Sequence, residues 1–259
     1  MIPAATAAAL PADIEAMARR MRLPYLRSHA AEVFAVAKAQ RWEPAEVVRV
    51  LLGEEIKGRD QAARAARRRQ AGLPTGKTFE TWCEVDSSIP AGAQRGLAAL
   101  EWVSRRENLA VAGPSGTGKS HFVEALASNV IEAGMKVAWH TLETLTDLVA
   151  RAGADGSARK AVARVIRADL IVIDDIGMLP AGQQAAEAFY RVIEAAYEKR
   201  SVAVTSNIHP AGFDSIMPKT LATAAVDRLL HHAHVIITEG ESHRLAQAVN
   251  GKGVQSLNT

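Results

Sequence analysis

The chain has 259 residues, 48% of them hydrophobic and 23% charged, with a formal net charge of +3, enough apolar mass for one large or two unequal folded domains. Its one cysteine, Cys83, excludes an intrachain disulfide and a cysteine-built zinc site, and fits a reducing, cytoplasmic setting. The N-terminal "MIPAATAAALPADIEAMARR" lacks the basic n-region of a signal peptide, and no run approaches the roughly 18 apolar residues of a membrane helix, so the sequence predicts neither export nor a membrane partner.

In chain order, "PADIEAMARRM" and "HAAEVFAVAKAQ" read as helices. A longer helix starts at Pro44, a good first-turn residue, with Val47, Val48, Leu51, Leu52 and Ile56 on its apolar side. Residues 1–80 hold 14 Lys/Arg against 9 Asp/Glu, whereas the rest of the chain holds 17 against 19, so the basic excess is N-terminal. Within it, "KGRDQAARAARRRQ" sets Lys57, Arg64 and Arg68 on one helical stripe, with Arg59 and Arg67 beside it. Such a stripe is either a phosphate-contacting face for nucleic acid or a solvated helix face. "AGLPTGKTFETW" then breaks the helix with Gly72, Pro74 and Gly76, which places a domain boundary at 74/75: a small helical domain over 1–74 and a second domain over 75–259.

From residue 83 onward apolar strand-like runs alternate with helical ones. "NLAVAG" precedes a helix from about Lys119 to Ala133. "KVAWHT" precedes helices over 143–152 and 157–167, "LIVIDD" precedes a helix over 183–199, and "SVAVTSN" and "HVIITEG" follow. Continuous apolar strands separated by helices predict an α/β fold, a parallel sheet covered on both faces.

"VAGPSGTGKSHF" carries G-x-x-x-x-G-K-[ST] from Gly113 to Ser120, between a strand and a helix. Such a turn aims backbone N–H groups and the positive end of a helix at a polyphosphate. The residues expected around ATP are Gly113, Pro114, Ser115, Gly116, Thr117, Gly118, Lys119, Ser120 and His121. Lys119 would reach the β and γ oxygens and Ser120 would present its hydroxyl to Mg²⁺. "LIVIDD" buries four apolar residues and delivers Asp174 and Asp175 at the carboxyl edge of the sheet, the first for Mg²⁺ and the second to orient or deprotonate the attacking water. Asp175 is one methylene shorter than a glutamate in that place, which implies slow or partner-dependent hydrolysis.

The order of these segments resembles the AAA+ ATPases of the IstB type, helper proteins of insertion-sequence transposition and relatives of the DnaC helicase loaders. The likeness covers nearly the whole chain: "RLPYL" and "GEEIKGRDQAARAARRRQAGLP" in the helical region, "RRENLAVAGPSGTGKSHF" at the loop, "LIVIDDIGMLP", then "VAVTSN", "AAVDRLLHHAHVI" and "EGESHR". The resemblance implies an AAA+ P-loop core behind a helical N-terminal domain that makes DNA and self-assembly contacts. It implies Asn207 as the polar sensor beside the γ-phosphate, Arg228 as an arginine finger reaching a neighbouring subunit, and Arg244 as a second sensor on the nucleotide. ATP would then sit at subunit interfaces of a homo-oligomer on double-stranded DNA, bound without base reading, and the assembly would serve a cognate transposase. A DnaC-like helicase loader with the same ATP site is the alternative that the shared core leaves open. A metabolic P-loop kinase would need a lid and an acceptor pocket instead. "HHAH" at 231–234 has neither the usual ligand spacing nor a Cys or clear carboxylate partner, and a helix-to-strand junction scatters its directions, so it is not read as a metal site. Trp42, Trp82, Trp102 and Trp139 are expected to pack rather than to stack on bases.

Overall fold

A computed structural model describes residues 10–153, 157–177 and 181–243. The chain divides into two compact units, one ending at Ala66 and the other beginning at Arg67.

The first unit contains α1 (Ala12–Arg20), α2 (Pro24–Gln40) and the larger part of α3 (Pro44–Ala71). Helix α2 starts five residues ahead of the predicted segment. Pro24 opens it, and the buried Glu55 carboxylate accepts the N–H groups of Tyr25 and Leu26, both at 2.9 Å, in place of a side-chain cap from the preceding residue. Ala30, Val33 and Leu51 form the core of this unit, with Leu26, Phe34, Trp42 and Val47 packed around them. The predicted apolar side of α3 is therefore split. Leu51 and Val47 face this core, whereas Val48, Leu52 and Ile56, spaced at i, i+4 and i+8, are 55%, 47% and 62% exposed.

The second unit continues with α4 (Ala91–Ala98), α5 (Glu101–Ser104), β1 (Asn108–Ala112), α6 (Lys119–Glu132), β2 (Val137–Thr141), α7 (Leu142–Gly153) and α8 (Ala158–Val165). Its further elements among the described residues are β3 (Leu170–Ile176), α9 (Gln183–Ala196), β4 (Ser201–Ser206), α10 (Lys219–Leu230) and β5 (Ala233–Ile237). Among the described residues five strands pair in parallel in the order β2-β3-β4-β1-β5. Alternate residues of each central strand enter opposite layers: Ile171, Ile173, Val202 and Val204 pack with α7 to α10, while Leu170, Val172, Leu109 and Val111 pack with α6. Burial on both faces is why the strands read as unbroken apolar runs.

The Gly/Pro break at 71–82 is no loose tether. Ala71 is buried in the second unit with Leu73, Phe79 and Trp82 around the same core. The buried Glu124 of α6 accepts the Thr75 N–H at 2.8 Å, the Thr75 hydroxyl at 2.6 Å and the Gly76 N–H at 2.5 Å. The division between units accordingly falls inside α3, ahead of the break.

Asn108 ties three elements together at the start of β1. Its Nδ2 donates to the Leu229 carbonyl at 2.9 Å and its Oδ1 accepts the Val202 N–H at 2.9 Å, both in buried surroundings. Asn108→Ala leaves both partners buried and unpaired, and is expected to cost about 2–4 kcal/mol in denaturant unfolding. Nucleotide affinity of the folded fraction should stay within about twofold, because the side chain bonds nothing in the phosphate loop.

Candidate nucleotide-binding site

The loop between β1 and α6 is built for a close approach by a ligand. Gly113 has φ +145° and the carbonyl oxygen of Thr238 lies 2.2 Å from where a Cβ would stand, so no side chain fits. Gly118 caps α6 in the left-handed region at φ +88°, turning the first N–H groups of the helix toward the loop. Pro114 and Ser115 are exposed at the loop tip. Thr117 is 2% exposed, and its hydroxyl meets the Pro114 carbonyl at 2.9 Å and the Thr238 hydroxyl at 2.7 Å. Only the backbone of Thr117 is left to offer a phosphate.

The Lys119 ammonium lies within this loop. It donates to the carbonyls of Gly113 at 2.8 Å and Pro114 at 2.7 Å, and to Asn207 Oδ1 at 3.0 Å. Asn207 follows the end of β4, and its own N–H donates to the Ile176 carbonyl at 3.1 Å. The Ser120 hydroxyl donates to Asp174 Oδ1 at 2.8 Å. Five of the sequence-predicted groups, Lys119, Ser120, Asp174, Asp175 and Asn207, are thus brought to the carboxyl ends of β1, β3 and β4.

The two aspartates differ. Asp174 is 6% exposed, and burial pushes its carboxyl above the usual range while the Thr205 and Ser120 hydroxyls pull it partly back. Asp175 is exposed and sits at φ +64°, where the β3–β4 register shifts between Ile173 and Ile176. A hydroxyl and a carboxylate sharing a hydrogen bond form an all-oxygen pair of the kind Mg²⁺ takes alongside phosphate oxygens, so Ser120 and Asp174 suit that ion.

Other expected residues stand apart. Arg228 makes an ion pair with Glu194 of α9, donates to the Ala224 carbonyl at 3.0 Å and lies 5.8 Å from the Tyr190 ring centroid. Arg244 lies outside the described residues. On α3, Arg59 pairs at 2.7 Å with the buried Glu55, and Lys57 lies 3.7 Å from Glu54. In the second unit Arg68 pairs at 2.8 Å with Glu132. Glu54 and Glu55 stand a helical turn before Lys57 and Arg59, and Glu132 comes from another element. Lys57, Arg59 and Arg64 are exposed, and Arg67 and Arg68 half-buried.

Residues outside the glycine-rich motif also pack on the loop. Trp82 packs 5.1 Å from the His121 ring and 5.4 Å from Phe122, with its Nε1 donating to Gln94 at 2.6 Å. The Thr81 hydroxyl lies 3.2 Å from His121 Nε2, and burial lowers the His121 pKa. The segment after β5 crosses the loop, where the His243 N–H donates to the Gly116 carbonyl at 3.0 Å. Thr205, which touches both aspartates, was also missed. The structure does supply a carboxylate, Glu198, near His231 and His232, but all three are exposed and His231 Nδ1 already meets the Tyr197 hydroxyl at 2.8 Å. Trp102 and Trp139 are buried, as expected of packing residues.

Among the described residues no helix is long and apolar enough to cross a membrane. The family model of the IstB-like ATP binding protein matches residues 16–251. An insertion-sequence IS21 protein of Pseudomonas aeruginosa, named for ATP binding, is 31% identical over 95% of this chain and 94% of its own. A similarly named IS5376 protein of Geobacillus stearothermophilus is 28% identical over 88% and 92%. Among solved structures, the DnaC helicase loader superposes with a TM-score of 0.52 at 16% identity, over 64% of this chain and 98% of its own. AMPPCP-bound DnaA from Aquifex aeolicus superposes at 0.52 and 18% identity, over 70% and 56%. The chain shares with both the fold of a parallel sheet flanked by helices.

Asp174 carries a testable cost. Its raised pKa means that the folded state binds a proton more tightly than the unfolded chain, so the metal-free protein loses stability as pH rises through that folded pKa. Asp174→Asn keeps an acceptor for Ser120 and Thr205 without the buried charge. In EDTA at neutral pH it should melt about 2–5 °C above the parent. That gap should close as the pH falls below the ordinary carboxylate range, and scanning calorimetry across pH checks both.

Proposed function

Because the chain belongs to the IstB-like ATP-binding family of insertion sequences, we propose that it is an ATPase that uses ATP to assemble on duplex DNA and so assists a cognate transposase. The observation that carries the reading is the convergence of Lys119, Ser120, Asp174 and Asn207 on the phosphate loop. Loop carbonyls are weaker partners for an ammonium than phosphate oxygens are, so Lys119 would pass from Gly113 and Pro114 to the β and γ oxygens when ATP enters. Ser120 and Asp174 would hold Mg²⁺, which supplies charge neutralisation on the polyphosphate. Asp175, set outward by its left-handed backbone, is positioned to orient or deprotonate water, and Asn207 can turn its amide toward the γ-phosphate.

Assembly enters through residues that a single chain leaves engaged elsewhere. The Arg228 guanidinium is held by Glu194, and in a homo-oligomer it would exchange that carboxylate for the γ-phosphate of a neighbour. Arg244 is assigned to the nucleotide on the same reading. The helical domain over residues 1–74 would supply DNA and self-assembly contacts. Lys57, Arg59, Arg64, Arg67 and Arg68 are then the phosphate-contacting cations, of which Lys57, Arg59 and Arg64 are exposed in the single chain. The exposed row Val48, Leu52 and Ile56 suits self-contact better than DNA.

Steady-state hydrolysis, measured with no DNA, with duplex and with single strands, tests the reading. Duplex should raise turnover and shift the protein to large assemblies in the presence of ATP. Arg228→Ala should lower the stimulated rate by about 10³-fold while leaving nucleotide binding to the single chain within about threefold. Turnover indifferent to DNA and to Arg228 in an unassembled monomer would end this proposal, and a preference for single strands would turn it toward a helicase loader. Duplex affinity should fall steeply with salt, and Arg64→Ala with Arg67→Ala should lower the log–log slope by about 2 without altering sequence preference.

A further inference from the structure

The two aspartates that end β3 pose a geometric problem. Neighbouring residues of a regular strand point to opposite faces, so Asp174 and Asp175 cannot both address one ligand from an unbroken strand. The register supplies the solution: Ile173 pairs with Val204 and Ile176 with Ser206, leaving Asp174 and Asp175 opposite the single residue Thr205. That is a bulge of two residues against one.

Thr205 is fully buried, and its hydroxyl closes the bulge in both directions. Its oxygen accepts the Asp175 N–H at 2.9 Å, the backbone group that the irregular register would otherwise leave unpaired. Its O–H donates to Asp174 Oδ1, the same oxygen that accepts the Ser120 hydroxyl at 2.8 Å. One side chain thus fixes where the Asp174 carboxylate stands relative to Ser120 and holds the backbone of Asp175 in its left-handed turn.

We infer that Thr205 is a positioning residue: through its hydroxyl it aligns the Asp174 carboxylate with Ser120 for a divalent cation and sets Asp175 outward toward the reacting water. The inference rests on the proposed ATPase reading for its catalytic half and on geometry alone for its metal-binding half. The residue touches neither phosphate nor water in this account. Thr205→Val preserves shape but removes both hydrogen bonds, whereas Thr205→Ser keeps the hydroxyl and loses only a methyl group.

Binding of a fluorescent ATP analogue to the full-length chain separates the two halves when measured in EDTA and across a MgCl₂ titration, beside hydrolysis rates on the same samples. In EDTA, all variants should bind the analogue within about twofold of the parent, because Lys119 and the loop are untouched. With magnesium, Thr205→Val should need about tenfold more Mg²⁺ for half-maximal tightening and lose about tenfold or more in kcat with little change in KM, while Thr205→Ser stays near the parent on both. If the valine variant does not fold, Thr205→Cys, whose thiol donates weakly, is read in the same way. An unshifted magnesium midpoint in the valine or cysteine variant overturns the inference. So does an equal loss of affinity in EDTA, which would mean general damage, or a serine variant as impaired as valine. If the parent protein tightens on the analogue with Mg²⁺ but never hydrolyses ATP, the ATPase reading fails while the magnesium midpoint still judges Thr205.

Discussion

The position of β4 between β1 and β3 is the constraint on which the site depends. The phosphate loop leaves the end of β1 and the acidic pair ends β3, and in sequence these are far apart. Because β4 pairs in parallel with both, its last residues lie between them. Asn207 bonds Lys119 on one side, and Thr205 bonds Asp174 and Asp175 on the other. A strand inserted between β4 and either neighbour would separate these groups by roughly 5 Å, beyond any hydrogen bond.

That arrangement concentrates negative charge in a buried place. An ionised carboxylate at the edge of an apolar sheet loses hydration, and two hydroxyl donors restore only part of it. The fold tolerates the cost because nearly all of the strand residues beneath are apolar and fully packed. In the proposed reading the same low-dielectric surroundings would strengthen the attraction of Asp174 for a divalent cation, so the feature that weakens the metal-free fold would favour a metal-bound one.

Much of this was legible in the sequence for definite reasons. Strand–turn–helix order and the spacing from Gly113 to Ser120 encode the loop chemically, since a side chain at Gly113 or Gly116 would meet Thr238 or Ser242. The runs at 108–113, 170–175 and 201–207 are unbroken because both faces of the sheet are covered. Periodicity could not show what depends on partners distant in the chain. Val48, Leu52 and Ile56 share the period of Leu51 yet are exposed, because the core of the first unit is narrow. Arg68 reads as a free cation until Glu132 is placed beside it. Thr205 lies in an ordinary β-branched run, and nothing local marks it as the residue opposite a bulge; the adjacent pair Asp174–Asp175 was the available hint, since two neighbouring carboxylates cannot share a face without one.

The ion pair of Arg228 with Glu194 bears on how assembly could be coupled to nucleotide state. Their side chains are 30% and 47% exposed, and an ion pair so open to water contributes no more than about 1 kcal/mol. Releasing it is therefore a small cost beside a charge-assisted contact with a polyphosphate in a closed interface. In the proposed reading, a lone chain keeps the guanidinium docked on α9, and only a neighbour presenting an intact γ-phosphate competes for it. Once that phosphate is cleaved the competitor weakens, and Glu194 can recover the arginine. The direction of the cycle then follows from one cation choosing between two anions, without any large rearrangement of the sheet that carries it.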